Sequence, residues 1–296
     1  MPKAYIFLLQ FFCWITSFAQ TAHVVNQQIG FTIKNVQFKN AGTMLRGNIL
    51  TPKNPSAAVV IVHGSGQEKR SIEMASRLAQ NGIAVLTYDK RGVDASEGVY
   101  AGPEVGTNNI DSTNLNLLAS DASKAVSTLI KYLPEKIIPL GLIGASQAGW
   151  IIPLAAAENK KVQFMVIFSG PIVTTLEQLR FQFYTNGNPD FWKTTSEEEA
   201  LKHINNDKDR YQFKATDPIV SLSKLEIPGL WLFGGKDIQV PVSLSIERLN
   251  KLKVKGKPVD HQIFPLMGHN LGSTKSSEPF DAAVSWIKGL NRGLKK

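Results

Sequence analysis

From Phe31 to Phe38 the chain alternates apolar and polar residues, the period of a strand with one face in a core. A turn at Lys39-Asn40-Ala41-Gly42 and a returning run, Met44 to Leu50, predict an antiparallel hairpin. The pattern then changes. Ala57–Val62, Ile83–Tyr88, Ile138–Ile143, Val162–Phe168 and Gly229–Phe233 are continuously or nearly continuously apolar, which predicts strands buried on both faces; Val259–Phe264 reads as a last strand. Between these runs apolar residues recur at helical spacing. Ile72, Ala75, Leu78 and Ala79 share a face closed by Asn81-Gly82, and Leu118, Ala122, Val126, Leu129 and Leu133 mark a helix over about 109–133 that Pro134 stops. Two more helices are expected near 243–252 and 279–290. The alternation predicts an α/β fold: a mostly parallel central sheet flanked by helices on both faces.

Residues 171–226 break the alternation. Phe181, Phe183, Tyr184, Phe191, Trp192, Tyr211 and Phe213 lie among charges in helix-like stretches with no buried strand. This segment is expected to be a small helical cap insertion in a core made of 31–170 and 227–296. At the other end, Lys3 precedes a mostly apolar run from Ala4 to Phe18 and then Ala19-Gln20. The run is too short to span a bilayer, so residues 1–19 are read as a signal peptide cleaved after Ala19, leaving a periplasmic or secreted protein with no integral membrane span. The single cysteine, Cys13, lies inside that segment, so the mature chain would carry no thiol. With 296 residues, 43% of them hydrophobic, the chain can bury a core that needs no disulfide. A net charge of +9 raises nucleic acid as a partner, but the basic stretches Lys251–Lys257 and Lys295-Lys296 read as solvated helix ends and loops, with no nucleic-acid motif beside them.

Chemistry concentrates where predicted strands end. After the run at 138–143 comes Gly144-Ala145-Ser146-Gln147-Ala148-Gly149, a turn of small residues with one hydroxyl at its apex, followed by an apolar helix start. A serine held in a tight strand-to-helix turn needs small neighbours two positions either side; Gly144 meets this, and Ala148 departs from the usual glycine by one methyl. Taken alone, the serine could equally cap the helix. Asp237 follows the strand at 229–233 through Gly234-Gly235-Lys236, and His269 follows the last strand through Met267-Gly268. In a parallel sheet such groups gather at the carboxyl edge.

With His63-Gly64-Ser65-Gly66 and Asp89-Lys90-Arg91-Gly92, these motifs resemble the α/β-hydrolase superfamily from about Phe31 to Leu290, within its esterase, dienelactone-hydrolase-like and serine-aminopeptidase-like branches. The order Ser, Asp, His is the one that superfamily uses. The resemblance implies Ser146 as nucleophile, His269 as base, Asp237 as its orienting acid, and the backbone N–H groups of Gln147 and Ser65 as the oxyanion hole. It implies an acyl-enzyme on a small-molecule ester substrate, with no metal or cofactor. The alternatives are an aminopeptidase or peptidase with the same triad, its free-amine site supplied by Glu177 or the Ser196-Glu197-Glu198-Glu199 run, and a non-catalytic binding protein of the same fold. His63 is expected to shape the oxyanion loop, and Asp89 and Arg91 to tie their loop to neighbouring elements; His23, His203 and His261 carry no motif.

Overall fold

The computed structural model describes residues 30–133, 138–271 and 276–293; the expected signal peptide, Cys13, His23 and the Pro134 helix stop lie outside them. Eight strands form one sheet: β1 (Phe31–Asn40), β2 (Thr43–Pro52), β3 (Ala57–Val62), β4 (Ile83–Tyr88), β5 (Leu140–Ala145), β6 (Phe164–Phe168), β7 (Gly229–Gly234) and β8 (Val259–Phe264). Their spatial order is β1-β2-β4-β3-β5-β6-β7-β8. β1 pairs antiparallel with β2, and β2 with β4, while every other pairing is parallel.

The unbroken apolar runs are explained by two cores. Along β3, Ala58, Val60 and Val62 face one core, and Ala57, Val59 and Ile61 the other. β6 divides likewise, with Met165 and Ile167 on the first face and Phe164, Val166 and Phe168 on the second. The second face is covered by α1 (Ile72–Gln80) and by α9 (Glu278–Gly293), which contributes Phe280, Ala283 and Ile287. The first is covered by α2 (Ser112–Ile130), α3 (Ala148–Glu158) and α8 (Val242–Val254). α2 begins later than its periodicity suggested because the Asp111 side chain accepts from the N–H groups of Thr113 and Asn114 and caps the helix there.

β3 leads into α1 on one face, while its neighbour β5 leads into α3 on the other. Outgoing chains that diverge from adjacent strands leave a crevice between their carboxyl ends. The loop at 63–66 and Ser146 stand on its two sides. Between the neighbouring strands β6 and β7 the chain runs through four helices: α4 (Thr175–Thr185), α5 (Phe191–Thr194), α6 (Glu197–Asn206) and α7 (Pro218–Leu222). They hold a small core of their own around Phe181, Phe191, Ala200 and Ile204. No described helix is long and apolar enough to cross a membrane.

Candidate active site

Ser146 leaves β5 with a φ of 56°, a left-handed conformation that costs a non-glycine residue about 1–3 kcal/mol and must be imposed by its surroundings. Its N–H donates to the Phe168 carbonyl (2.9 Å), and its own carbonyl accepts from the N–H of Gly149 (2.8 Å). The turn is tight enough that a Cβ on Gly144 would come within 2.6 Å of both the Ala148 methyl and the Val62 carbonyl oxygen. One methyl fits between positions 144 and 148, and here Ala148 supplies it. Gly149 is as tightly confined as Gly144: a Cβ there would meet Pro171 at 2.6 Å.

The other two strand ends are joined to each other. A Cβ on Gly234 would strike the Gly268 carbonyl at 2.1 Å, and the Lys236 N–H donates to the Met267 carbonyl (2.8 Å), so the Asp237 turn and the His269 loop are packed backbone to backbone. His269 Nδ1–H donates to Asp237 Oδ2 (2.8 Å), and its Nε2 accepts from the Ser146 hydroxyl (3.0 Å). The other carboxylate oxygen of Asp237 accepts from the N–H groups of Gln239 (2.7 Å) and Val240 (3.0 Å). The Asp237 side chain is fully buried, and the imidazole one-tenth exposed. Among the described residues no group of three or more His, Cys, Asp or Glu side chains is placed to hold a metal ion.

Ser146, Ser65 and Gln147 line one cleft of about 650 Å³, so all five residues singled out from the sequence come together. His63 stands behind them, its Nε2–H donating to the Tyr88 carbonyl (2.6 Å). Burial and the neighbouring Lys90 ammonium depress its pKa to about 4, so it is a neutral donor at neutral pH. Asp89 is held by Arg70 and Arg91 by Asp121, both as expected ties rather than cleft residues. His203 stacks on Tyr184, and His261 lies within β8.

Four residues assigned no role from the sequence support the loop at 63–66. Lys90 donates to the carbonyls of Gly64 and Gly66, and the Glu68 carboxylate accepts from the Gly64 N–H (2.9 Å). The Ser65 carbonyl accepts from the Tyr100 hydroxyl and the Asn109 amide (both 2.9 Å). Burial, reinforced by Glu104, pushes the Tyr100 phenol up to about 12, so it stays a donor. Glu104 is the carboxylate on the cleft wall, beside Gln178, Gln182, Phe183 and Tyr211.

The sequence model of the family described as serine aminopeptidase, S33, matches residues 53–221, more than half of the chain. Esterase EstD of Thermotoga maritima is 28% identical over 226 residues, covering 66% of this chain and 50% of its own length. The acylamino-acid-releasing enzyme of Arabidopsis thaliana is 33% identical over 81 residues, 27% of this chain and 11% of that protein. The chain thus spans half or less of the length of these curated relatives. Among solved structures, the Pyrococcus furiosus esterase Pf2001 has a TM-score of 0.62 at 18% identity, over 88% of this chain and 92% of that one. The Pyrococcus horikoshii acylaminoacyl peptidase has 0.64 at 15%, over 91% and 43%. At those identities the likeness is one of fold.

Proposed function

Because the chain belongs to the serine aminopeptidase, S33, family, and so to the serine hydrolases of the α/β-hydrolase superfamily, we propose that it hydrolyses carboxylic esters through Ser146, His269 and Asp237. The observation that carries this reading is the His269 ring, hydrogen-bonded to Ser146 Oγ at 3.0 Å on one side and to Asp237 Oδ2 at 2.8 Å on the other. Ser146 Oγ attacks the acyl carbon while its proton passes to His269 Nε2 and the carbonyl π pair moves onto oxygen, facing the N–H groups of Ser65 and Gln147. Collapse re-forms the carbonyl and breaks the bond to the alkoxide, which takes the proton from His269. Water then attacks the acyl-enzyme with His269 again as base, releasing the acid and restoring Ser146.

Residues 171–226 act as a cap on this reading, since Gln178, Gln182, Phe183 and Tyr211 line the same cleft as Ser146. The cleft's volume of about 650 Å³ and its polar and aromatic walls suit esters of small to medium acyl or alcohol groups. Amide cleavage is the second reading, and Glu104 favours it as a carboxylate within reach of a substrate amine. The acids expected for that role are engaged elsewhere: Glu177 is gripped by Arg248 at 2.6 and 2.9 Å, and Glu197 and Glu198 line a separate hollow of about 240 Å³.

A fluorophosphonate probe should label the protein and fail to label Ser146→Ala; an unlabelled wild type removes the hydrolase reading, and a labelled variant moves the nucleophile. Rates on acyl esters of graded length should exceed those on aminoacyl amides, and faster amide turnover overturns the preference for esters. Export with removal of residues 1–19 is proposed from that stretch of sequence. The mass of the protein recovered outside the cytoplasm checks it, and a full-length mass there refutes it.

A further inference from the structure

The triad chemistry leaves a buried cation beneath the cleft unused. Lys90 is 2% exposed, and its ammonium donates to three oxygens: the carbonyls of Gly64 (2.6 Å) and Gly66 (3.2 Å) and the side-chain Oε1 of Gln147 (3.2 Å). Among the described residues no carboxylate takes a hydrogen bond from it. Holding an ammonium there without an ion-pair partner is costly, since burial penalises the charged form. The positions of its three acceptors indicate what that charge does.

The Gly64 carbonyl and the Ser65 N–H belong to one planar trans peptide, in which C=O and N–H point in opposite directions. A cation on the carbonyl therefore fixes the direction of the N–H and makes it a stronger donor, because hydrogen bonds in series polarise one another. The preceding N–H, that of Gly64, is already taken by Glu68 (2.9 Å), and the Ser65 carbonyl is held from the far side by Tyr100 and Asn109 (both 2.9 Å). On the other wall, Lys90 holds the Gln147 amide, whose Nε2 donates to the Asn109 carbonyl (2.8 Å). One ammonium thus touches both segments whose N–H groups would face the reacting oxygen.

We propose that Lys90 is a positioning residue for the oxyanion hole: its charge orients and polarises the Gly64–Ser65 peptide and pins Gln147, so that both donors are set before the tetrahedral intermediate forms. The proposal rests on Ser146 being the nucleophile. The Lys90 ammonium stands on the carbonyl side of the Gly64–Ser65 peptide, behind the N–H that faces the developing negative charge, and in a water-poor site the attraction across it is far less screened than in solvent.

The groups facing Lys90 give it a pH signature. Burial pulls its pKa down to about 8 against the opposing pull of Glu68 and Glu104. His63 is neutral beside it, the Tyr100 phenol titrates only near 12, and the adjacent Asp89 is occupied by Arg70. Lys90 is charged below about 8 and loses that charge as pH rises through it, so turnover should fall on the alkaline side.

The test is steady-state kinetics of wild type and Lys90→Met on one acyl ester across pH, with fluorophosphonate labelling of both and thermal melts as the check on folding. The variant should lose about 10²-fold in kcat, the scale of one oxyanion donor, with KM within about threefold, and should lose the alkaline limb. A variant within about threefold of wild-type kcat, or an alkaline limb that persists in it, overturns the proposal. Should the variant not fold, the wild-type profile decides alone: a kcat level from pH 8 to roughly pH 10 overturns it. Failure of the wild type to label would sink the serine-hydrolase reading instead, whereas a labelled wild type with an unimpaired variant would sink only the role of Lys90.

Discussion

At the scale of single residues, the two carboxylate oxygens of Asp237 have separate partners. Oδ1 accepts from the Gln239 and Val240 N–H groups, while Oδ2 accepts from His269 Nδ1. In Asp237→Asn the two backbone donors would claim the amide oxygen, leaving the NH₂ group to face Nδ1. The imidazole would then carry its proton on Nε2 and have no lone pair for the Ser146 hydroxyl. We expect kcat to fall by about 10⁴ with little change in melting temperature, as stopped ester hydrolysis and a thermal melt would record; a variant keeping a tenth of wild-type turnover would contradict this role. Asp237 was legible because it follows a buried strand through a Gly-Gly turn. Lys90 was not, because it stands between Asp89 and Arg91 in a run of charges that hydropathy alone assigns to a solvated loop. Only the fold shows that run dividing three ways, Asp89 to Arg70, Arg91 to Asp121, and Lys90 inward.

At the scale of elements, the strand-turn-helix around Ser146 is sterically limited at Gly144 and Gly149, the latter one position after the residue that looked irregular. Ala148 is buried, and its methyl fills the space that Gly144 leaves. Gly149 lies against Gly170 and Pro171 at the end of β6, so an added methyl must push α3 away from the sheet. Urea unfolding should show Gly149→Ala destabilised by about 1–3 kcal/mol, the usual penalty of overpacking, with a parallel loss of turnover. Ala148→Gly should cost about 1 kcal/mol or less. The opposite ranking would mean that the elbow is limited elsewhere. The sequence located β3, β4 and β8 to the residue, since complete burial or a clear change at both ends marks them. It could not describe residues 99–108, which hold Tyr100 and Glu104 and put Pro103, Glu104, Gly106, Thr107 and Asn108 on the cleft wall, because one short 3₁₀ turn at Pro103–Val105 leaves no period to detect.

At the scale of the whole molecule, the helices between β6 and β7 are fastened to the loop that carries Asp237, the proposed triad acid. Trp192 Nε1–H donates to the Asp237 carbonyl (2.7 Å), and the Thr185 hydroxyl to the Ile238 carbonyl (2.8 Å). Trp192→Phe keeps most of the packing in the small core and removes the first of these bonds. It should lower kcat/KM by up to about fivefold, the kinetic equivalent of about 1 kcal/mol, while labelling at Ser146 persists; unchanged kinetics would show that the fastening does not matter to the site. The presence of the insertion was legible in the change of composition at Pro171, but its fastening was not, because a bond to a backbone carbonyl requires no particular residue in the sequence around that carbonyl. Since β6 and β7 are parallel neighbours, the segment begins and ends beside the same pair of strands, and the sheet would close without it. On the proposed reading, evolution and protein engineers are therefore free to exchange this stretch as a cassette and so retarget the enzyme, on one condition: any replacement must bring its own donor to the Asp237 carbonyl, or the new specificity arrives with a loosened Asp237.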